Sequence, residues 1–211
     1  MKKAVFLIAM CGAMVLSGCS DAAEVTLDGS TAAIPAAGIA IEFPDNYTVI
    51  TGDEIYRTLG GALSYSATAE EIKAEYEENG ISYLVHATDG SDIIVASAQD
   101  MTPDEDTERT TLEDYARQVH DTTIFEYYAS GYRTTENTSL SEASYGGKDG
   151  WVSFFEVTTA PTDGEEPQFV IGYIEFMFES GDDIYCIQVG LPQQTDREAA
   201  AQTFEMIKAY P

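Results

Sequence analysis

"FVIGYIEFMF", residues 169–178, is followed at once by "ESGDD" (179–183) and then by "IYCIQVGL" (184–191). A strand with one wet face alternates apolar and polar residues, whereas a strand covered on both faces does not. The first run is apolar at both parities apart from the lone Glu175. It therefore predicts a central strand buried on two sides. The polar, glycine-containing "ESGDD" predicts a turn that brings Ile184–Leu191 back antiparallel beside it. Cys186 lies inside that returning arm, where a small buried thiol is the expected state.

Working outward, strand-like runs cover about 151–159 and 132–145, broken at "YGGKDG" (145–150). "ISYLVHATDGSDIIVASA" (81–98) reads as a hairpin turning at Asp89-Gly90. Two short β-type runs, Ile39–Phe43 and Tyr47–Thr51, flank the turn cluster Pro44-Asp45-Asn46. Three stretches carry helical signatures. In Thr68–Asn79, Thr68 and Glu71 form a capping box, Ala69, Ile72 and Tyr76 share a face, and Gly80 is a suitable stop. A second helix is capped by Thr110 with Glu113, has a stripe of Leu112, Tyr115, Ala116 and Val119, and extends towards Tyr128. A final helix is expected over about Asp196–Ala209, with Thr195 and Glu198 as its box and Ala200, Phe204 and Ile207 on one face. Strands joined by hairpins plus three capped helices give an α+β fold, a mainly antiparallel sheet with helices packed on it.

The order of these elements resembles PsbP-like domains, known from photosystem II extrinsic subunits and from bacterial lipoproteins. The resemblance rests on "IAIEFPDNYTV" (39–49), "TLEDYARQV" (111–119), "DGWVSFFEV" (149–157), the long hairpin 169–191, and the closing "FEMIKAY" (204–210). It covers 39–211 and implies an α/β/α sandwich, with about 52–80 as an embellishment of the basic fold. It also implies a binding or assembly role more than catalysis, and it carries over no ligand residue.

The first eighteen residues have a different character. Lys2 and Lys3 precede an uncharged apolar run, Ala4–Leu16. That run is short of the ~20 residues a bilayer-spanning helix needs and fits the apolar core of a secretory signal. It ends in Leu16-Ser17-Gly18-Cys19, which resembles the lipobox of bacterial lipoproteins. The resemblance implies cleavage between Gly18 and Cys19 and a diacylglyceryl group on the Cys19 thiol; two or more acyl chains hold a protein firmly where one binds only marginally. The expected organisation is a signal peptide at 1–18, a flexible tether at 19–38 and one domain at 39–211. The expected location is the extracytoplasmic face of a bacterial cell membrane, periplasmic or extracellular, with the lipid on Cys19 as the membrane partner.

Charge excludes one class of partner. The chain has 10 basic and 37 acidic residues, net −27. Loss of Lys2 and Lys3 leaves eight against 37, a net of −29. Such a body is repelled by nucleic acid and by anionic headgroups, so no nucleic-acid partner is expected and no basic patch substitutes for the lipid. Of three cysteines, Cys11 lies in the signal and Cys19 carries the lipid, which leaves Cys186.

Little in the chain points to catalysis. The only imidazoles are His86, within a strand-like run, and His120, near the end of the second helix. No G-x-S-x-G, H-E-x-x-H or Cys-x-x-Cys spacing accompanies them. Asp104-Glu105-Asp106 offers several oxygens to a calcium ion but lacks the alternating spacing and glycine of an EF-hand loop, so it reads as a solvated loop. No catalytic residue, metal or cofactor is therefore expected. "FEYYASGY" (125–132) is the candidate interaction patch, through Tyr127, Tyr128 and Tyr132, because tyrosine joins apolar area to a polar tip. The expected function is a non-catalytic binding or assembly module for another envelope protein or a small ligand. The alternative is a carboxylate-dependent envelope hydrolase acting on glycan, which would show convergent carboxylates in a deep pocket.

Overall fold

The computed structural model describes residues 25–63, 68–78, 80–100, 110–161 and 166–211. The first half of the chain forms β1 (Thr26–Asp28), β2 (Thr31–Ile34), β3 (Ile39–Glu42), β4 (Thr48–Thr51), α1 (Asp53–Leu63), α2 (Ala69–Glu78), β5 (Ile81–Thr88) and β6 (Ile93–Asp100). The second half forms α3 (Leu112–Ala129), β7 (Tyr132–Thr134), β8 (Ser139–Tyr145), β9 (Lys148–Thr159), β10 (Phe169–Ser180), β11 (Asp183–Leu191), α4 (Arg197–Gln202) and β12 (Ile207–Ala209). Eight strands make one sheet in the order β4-β5-β6-β11-β10-β9-β7, with β8 also paired to β9. Four make a second sheet, β1-β2-β3-β12. Every pairing is antiparallel.

β10 lies centrally, between β9 and β11. Its even-numbered residues Ile174, Phe176 and Phe178 join Phe154, Tyr185, Ile187 and Ile94 in the main core. Against them pack Ile34, Ile39 and Ile41 of the small sheet, together with Ala200, Phe204 and Ile207 from the C-terminal segment. On the opposite face, Tyr173 meets Tyr127 and Phe155, and Met177 meets Ala116 and Val119 of α3. Nearer the β4 edge, Tyr56, Ile72 and Tyr76 of α1 and α2 pack with Ile81 and Tyr83 of β5. The absence of alternation in 169–178 thus has its physical cause: both faces of β10 are covered.

The β8–β9 hairpin shows how closely the layers fit. A Cβ on Gly150 would stand 2.2 Å from the Met177 carbonyl oxygen and 2.8 Å from the Phe176 ring. Gly146, in the turn, has φ +58°, and a Cβ there would lie 2.7 Å from Ile207 Cγ2. Glycine at 146 lets the turn adopt a left-handed bend while touching β12.

Several sequence expectations hold residue by residue. In the capping box of α2, Thr68 N donates to Glu71 Oε2 at 2.7 Å and Glu71 N donates to Thr68 Oγ1 at 3.2 Å. β5 and β6 pair across the Asp89-Gly90 turn, where Asp89 Oδ1 accepts from Ser91 N and Asp92 N.

Others need correction. Residues 26–38, expected within the tether, form β1, β2 and a 3-10 turn at Pro35–Ala37, and Ala32, Ile34 and Ala37 are buried in the main core. The small side chains of "TAAIPAA" give little periodic signal, yet they let this strand lie close against the large sheet. The expected final helix ends early. α4 is capped by Asp196, whose side chain accepts from Ala199 N at 2.9 Å, and not by Thr195. After Gln202 comes a 3-10 turn, and Ile207–Ala209 pair with β3. The cap of α3 is Thr111 and not Thr110: its Oγ1 accepts from Asp114 N at 3.1 Å. α1, at 53–63, is a helix that the sequence pattern does not predict.

Candidate functional site

Three places on this scaffold carry polar or aromatic groups beyond what packing requires. The first is buried. Strand register sets Glu175 opposite both Ser153 of β9 and Gln188 of β11, and Gln188 opposite Val95, which in turn faces His86. His120 reaches this row from α3, its Nδ1 2.8 Å from Ser153 Oγ. Gln188 Nε2 donates to Glu175 Oε1 at 2.5 Å, while Glu175 Oε2 has no hydrogen-bond partner. Burial pushes the Glu175 carboxyl up to about 7, partly offset by the bond from Gln188. Burial also lowers both histidines, and it pushes the Tyr127 and Tyr173 phenols up. Serine, imidazole and carboxylate are the ingredients of nucleophilic catalysis. Here, however, Ser153 is 0% exposed and Glu175 likewise, so a substrate reaches neither. The row is a buried polar seam, and its His120–Ser153 bond ties α3 to the sheet.

The second place is the end of α3. Tyr127 is 5% exposed and packs at ring-centroid distances of about 6 Å on Phe155, Tyr173 and Tyr132. Its inclusion in the interaction patch is therefore corrected: it continues the inward stripe Ala116, His120, Thr123. Tyr128 and Tyr132 are 59% and 36% exposed, joined by Phe125 at 67%, which the sequence reading did not single out. Spacing was the available signal, since 125 and 128 share the outer helix face. The Arg133 guanidinium stacks over the Tyr128 ring, 4.2 Å from its centroid.

The third comprises two grooves. One, of about 580 Å³, lies beyond the N-terminus of α3 and is lined by Leu112, Glu142, Ala143, Ser144, Asp149, Gly150 and Trp151. The other, of about 180 Å³, is lined by residues that include Val25, Thr51, Tyr56, Lys73 and Tyr83, with Lys73 Nζ 3.0 Å from Asp53 Oδ1. Glu175 lines neither groove.

Cys19, Gly18 and the calcium candidate Asp104-Glu105-Asp106 lie outside the described residues. Cys186 is half-buried among Met177, Ile184 and Trp151. Among the described residues no three His, Cys, Asp or Glu side chains converge as metal ligands, and no helix is long and apolar enough to cross a membrane.

No family model and no curated protein matches the chain. Solved structures do. The solution structure of a cyanobacterial PsbP (CyanoP) from Synechocystis superposes with a TM-score of 0.50 at 9% identity, covering 92% of this chain and 99% of that one. LpqN of Mycobacterium tuberculosis, described as involved in cell envelope biogenesis, gives a TM-score of 0.40 at 11% identity, covering 82% and 83%. The chain has a PsbP-like fold, as the order of its elements led us to expect.

Proposed function

We propose that this chain is a lipid-anchored, extracytoplasmic bacterial lipoprotein whose folded part is a non-catalytic binding or assembly module for another envelope protein. The observation that carries the reading is the cluster Phe125, Tyr128 and Tyr132, large aromatic surface left open at the end of α3. Such groups supply most of the binding energy at protein interfaces when a partner removes them from water. Their position agrees with an N-terminal anchor. Val25, where the chain leads towards Cys19, lies beside β4 and β5. Tyr132, on β7 and five strands across from β5, pairs with Thr159 at the far end of β9. Strand spacings put these corners roughly 30 Å apart, on a diagonal of the sheet. A domain held at one corner presents the other away from the bilayer, where a protein meets it and lipid does not. The glycan hydrolase alternative gains no support, because the carboxylate that burial perturbs most is sealed in the core.

A photo-crosslinking amino acid placed at Tyr128 tests the reading in the native host, with Glu198, exposed on α4, as the control site. The expected result is a discrete protein adduct from position 128 and none from 198. Equal labelling at both sites, or none at 128, overturns it.

A further inference from the structure

Among the described residues, one edge of the large sheet, β8, has no further strand beside it. β8 is seven residues long, about 23 Å of strand. It pairs with β9 on one side, from Ser139↔Phe154 to Tyr145↔Lys148, with no register shift. On its other side no backbone group of the described residues bonds to it. Natural edge strands are blunted by charged side chains, lysine above all, by proline, bulges or brevity, or by a covering helix or loop. "SLSEASY" has no lysine, no proline and no bulge; its one charge is Glu142, and Arg197 of α4 donates to the Ser141 hydroxyl, whereas β7 has three residues and β4, at the other edge of the sheet, has four. The hydroxyl oxygen of Ser139, at the start of β8, is buried without a partner.

The larger groove runs beside this same strand. Glu142 stands cross-strand from Trp151, and Ser144 from Asp149, and all four line the groove. Among the described residues the lining holds two carboxylates and a tryptophan, with no lysine or arginine. An ammonium or guanidinium group is what this combination attracts, by charge and by the ring's π face.

We propose that β8 is a β-augmentation site: an extended, basic segment of a partner protein adds as a further antiparallel or parallel strand and sets a lysine or arginine side chain in the Trp151 groove. Main-chain bonds to the edge supply affinity, and the groove selects the side chain. A second copy of this chain is the less fitting occupant, since two bodies of net −27 repel. The inference rests on the folded part alone and does not depend on the anchor or on the aromatic cluster.

Trp151 is the only tryptophan, so its fluorescence reports on the groove directly. The full-length protein in non-ionic detergent is titrated with a heptapeptide alternating threonine and lysine. The same peptide methylated on alternate backbone nitrogens, and a threonine–glutamate heptapeptide, serve as comparisons. The expected result is a saturable change in Trp151 emission with the lysine peptide, weakened on the order of tenfold by backbone methylation. The glutamate peptide should give no change. Glu142→Lys and Asp149→Lys should each weaken the lysine peptide, both being exposed positions. Equal binding of the methylated peptide would show bulk charge attraction and overturn the proposal. So would an unchanged Trp151 signal, or sedimentation showing a dimer of the protein itself.

Discussion

Gln188 Nε2 reaches one oxygen of Glu175 across the β10–β11 ladder, and the other oxygen of that fully buried carboxyl meets no donor. Burial in that position favours the protonated carboxyl over the carboxylate. Its value in the fold, about 7, lies above the ordinary 4.5. A raised carboxyl contributes stability that is complete below the unfolded value and is lost as pH rises through the folded one. The two buried histidines act in the opposite sense, because their lowered values make stability fall as pH drops below 6.5.

Glu175→Gln separates the two effects. The variant keeps the volume and removes the titration, so its stability relative to wild type should grow between pH 4.5 and pH 7. The gain should reach about 3 kcal/mol above that window. Urea unfolding across that range measures it. A difference that stays flat with pH would show that Glu175 titrates normally.

Phe204→Ala should cost roughly 3–5 kcal/mol. The ring is buried between Tyr145 and Phe176, at centroid distances of 5.3 and 5.8 Å, where the two sheets meet the C-terminal segment. A loss below ~1 kcal/mol in denaturant unfolding would mean that the site collapses around the gap or that the ring is not buried.

Ile34→Ala tests whether the residues before Ile39 belong to the fold. A side chain in a tether contributes nothing, whereas one fully buried in the main core should cost about 2–5 kcal/mol. Thermal unfolding of the variant decides between the two, an unchanged midpoint favouring the tether.

Cys19→Ala should release the protein from the membrane fraction of the native host while leaving the fold intact, since the net charge of −29 after residue 18 offers no electrostatic substitute. Mass spectrometry of the N-terminal peptide is the companion measurement. An unmodified peptide spanning Gly18 and Cys19 in the mature protein would refute lipidation.

Patterns that two independent forces reinforce were legible in the sequence. Residues 169–178 had to be apolar on both faces, and the Thr68–Glu71 box both starts a helix and precedes an apolar stripe. Where two neighbours offered the same cap, at Thr110 and Thr111 or at Thr195 and Asp196, only backbone geometry chose between them. Ala200, Phe204 and Ile207 fit a helical spacing, but Ile207 finds a strand partner in Ile41, and that long-range pairing overrides the local period. α1 was hidden by Gly60 and Gly61, poor helix formers inside "DEIYRTLGGAL". At the candidate site, Tyr128 and Tyr132 were visible as aromatics. The burial of Tyr127 follows only when the stripe from Ala116 is carried three turns further.

Because β1 begins at Thr26, only seven residues, 19–25, separate the proposed lipid from the sheet, and whatever path they take they span at most ~25 Å. A partner fixed in the same membrane would then meet this protein within a thin layer rather than in bulk solution. Confinement of that kind raises effective concentrations to the order of millimolar. An encounter too weak to survive dilution after extraction would be saturated in the cell, so affinities measured with detached protein should understate occupancy at the membrane.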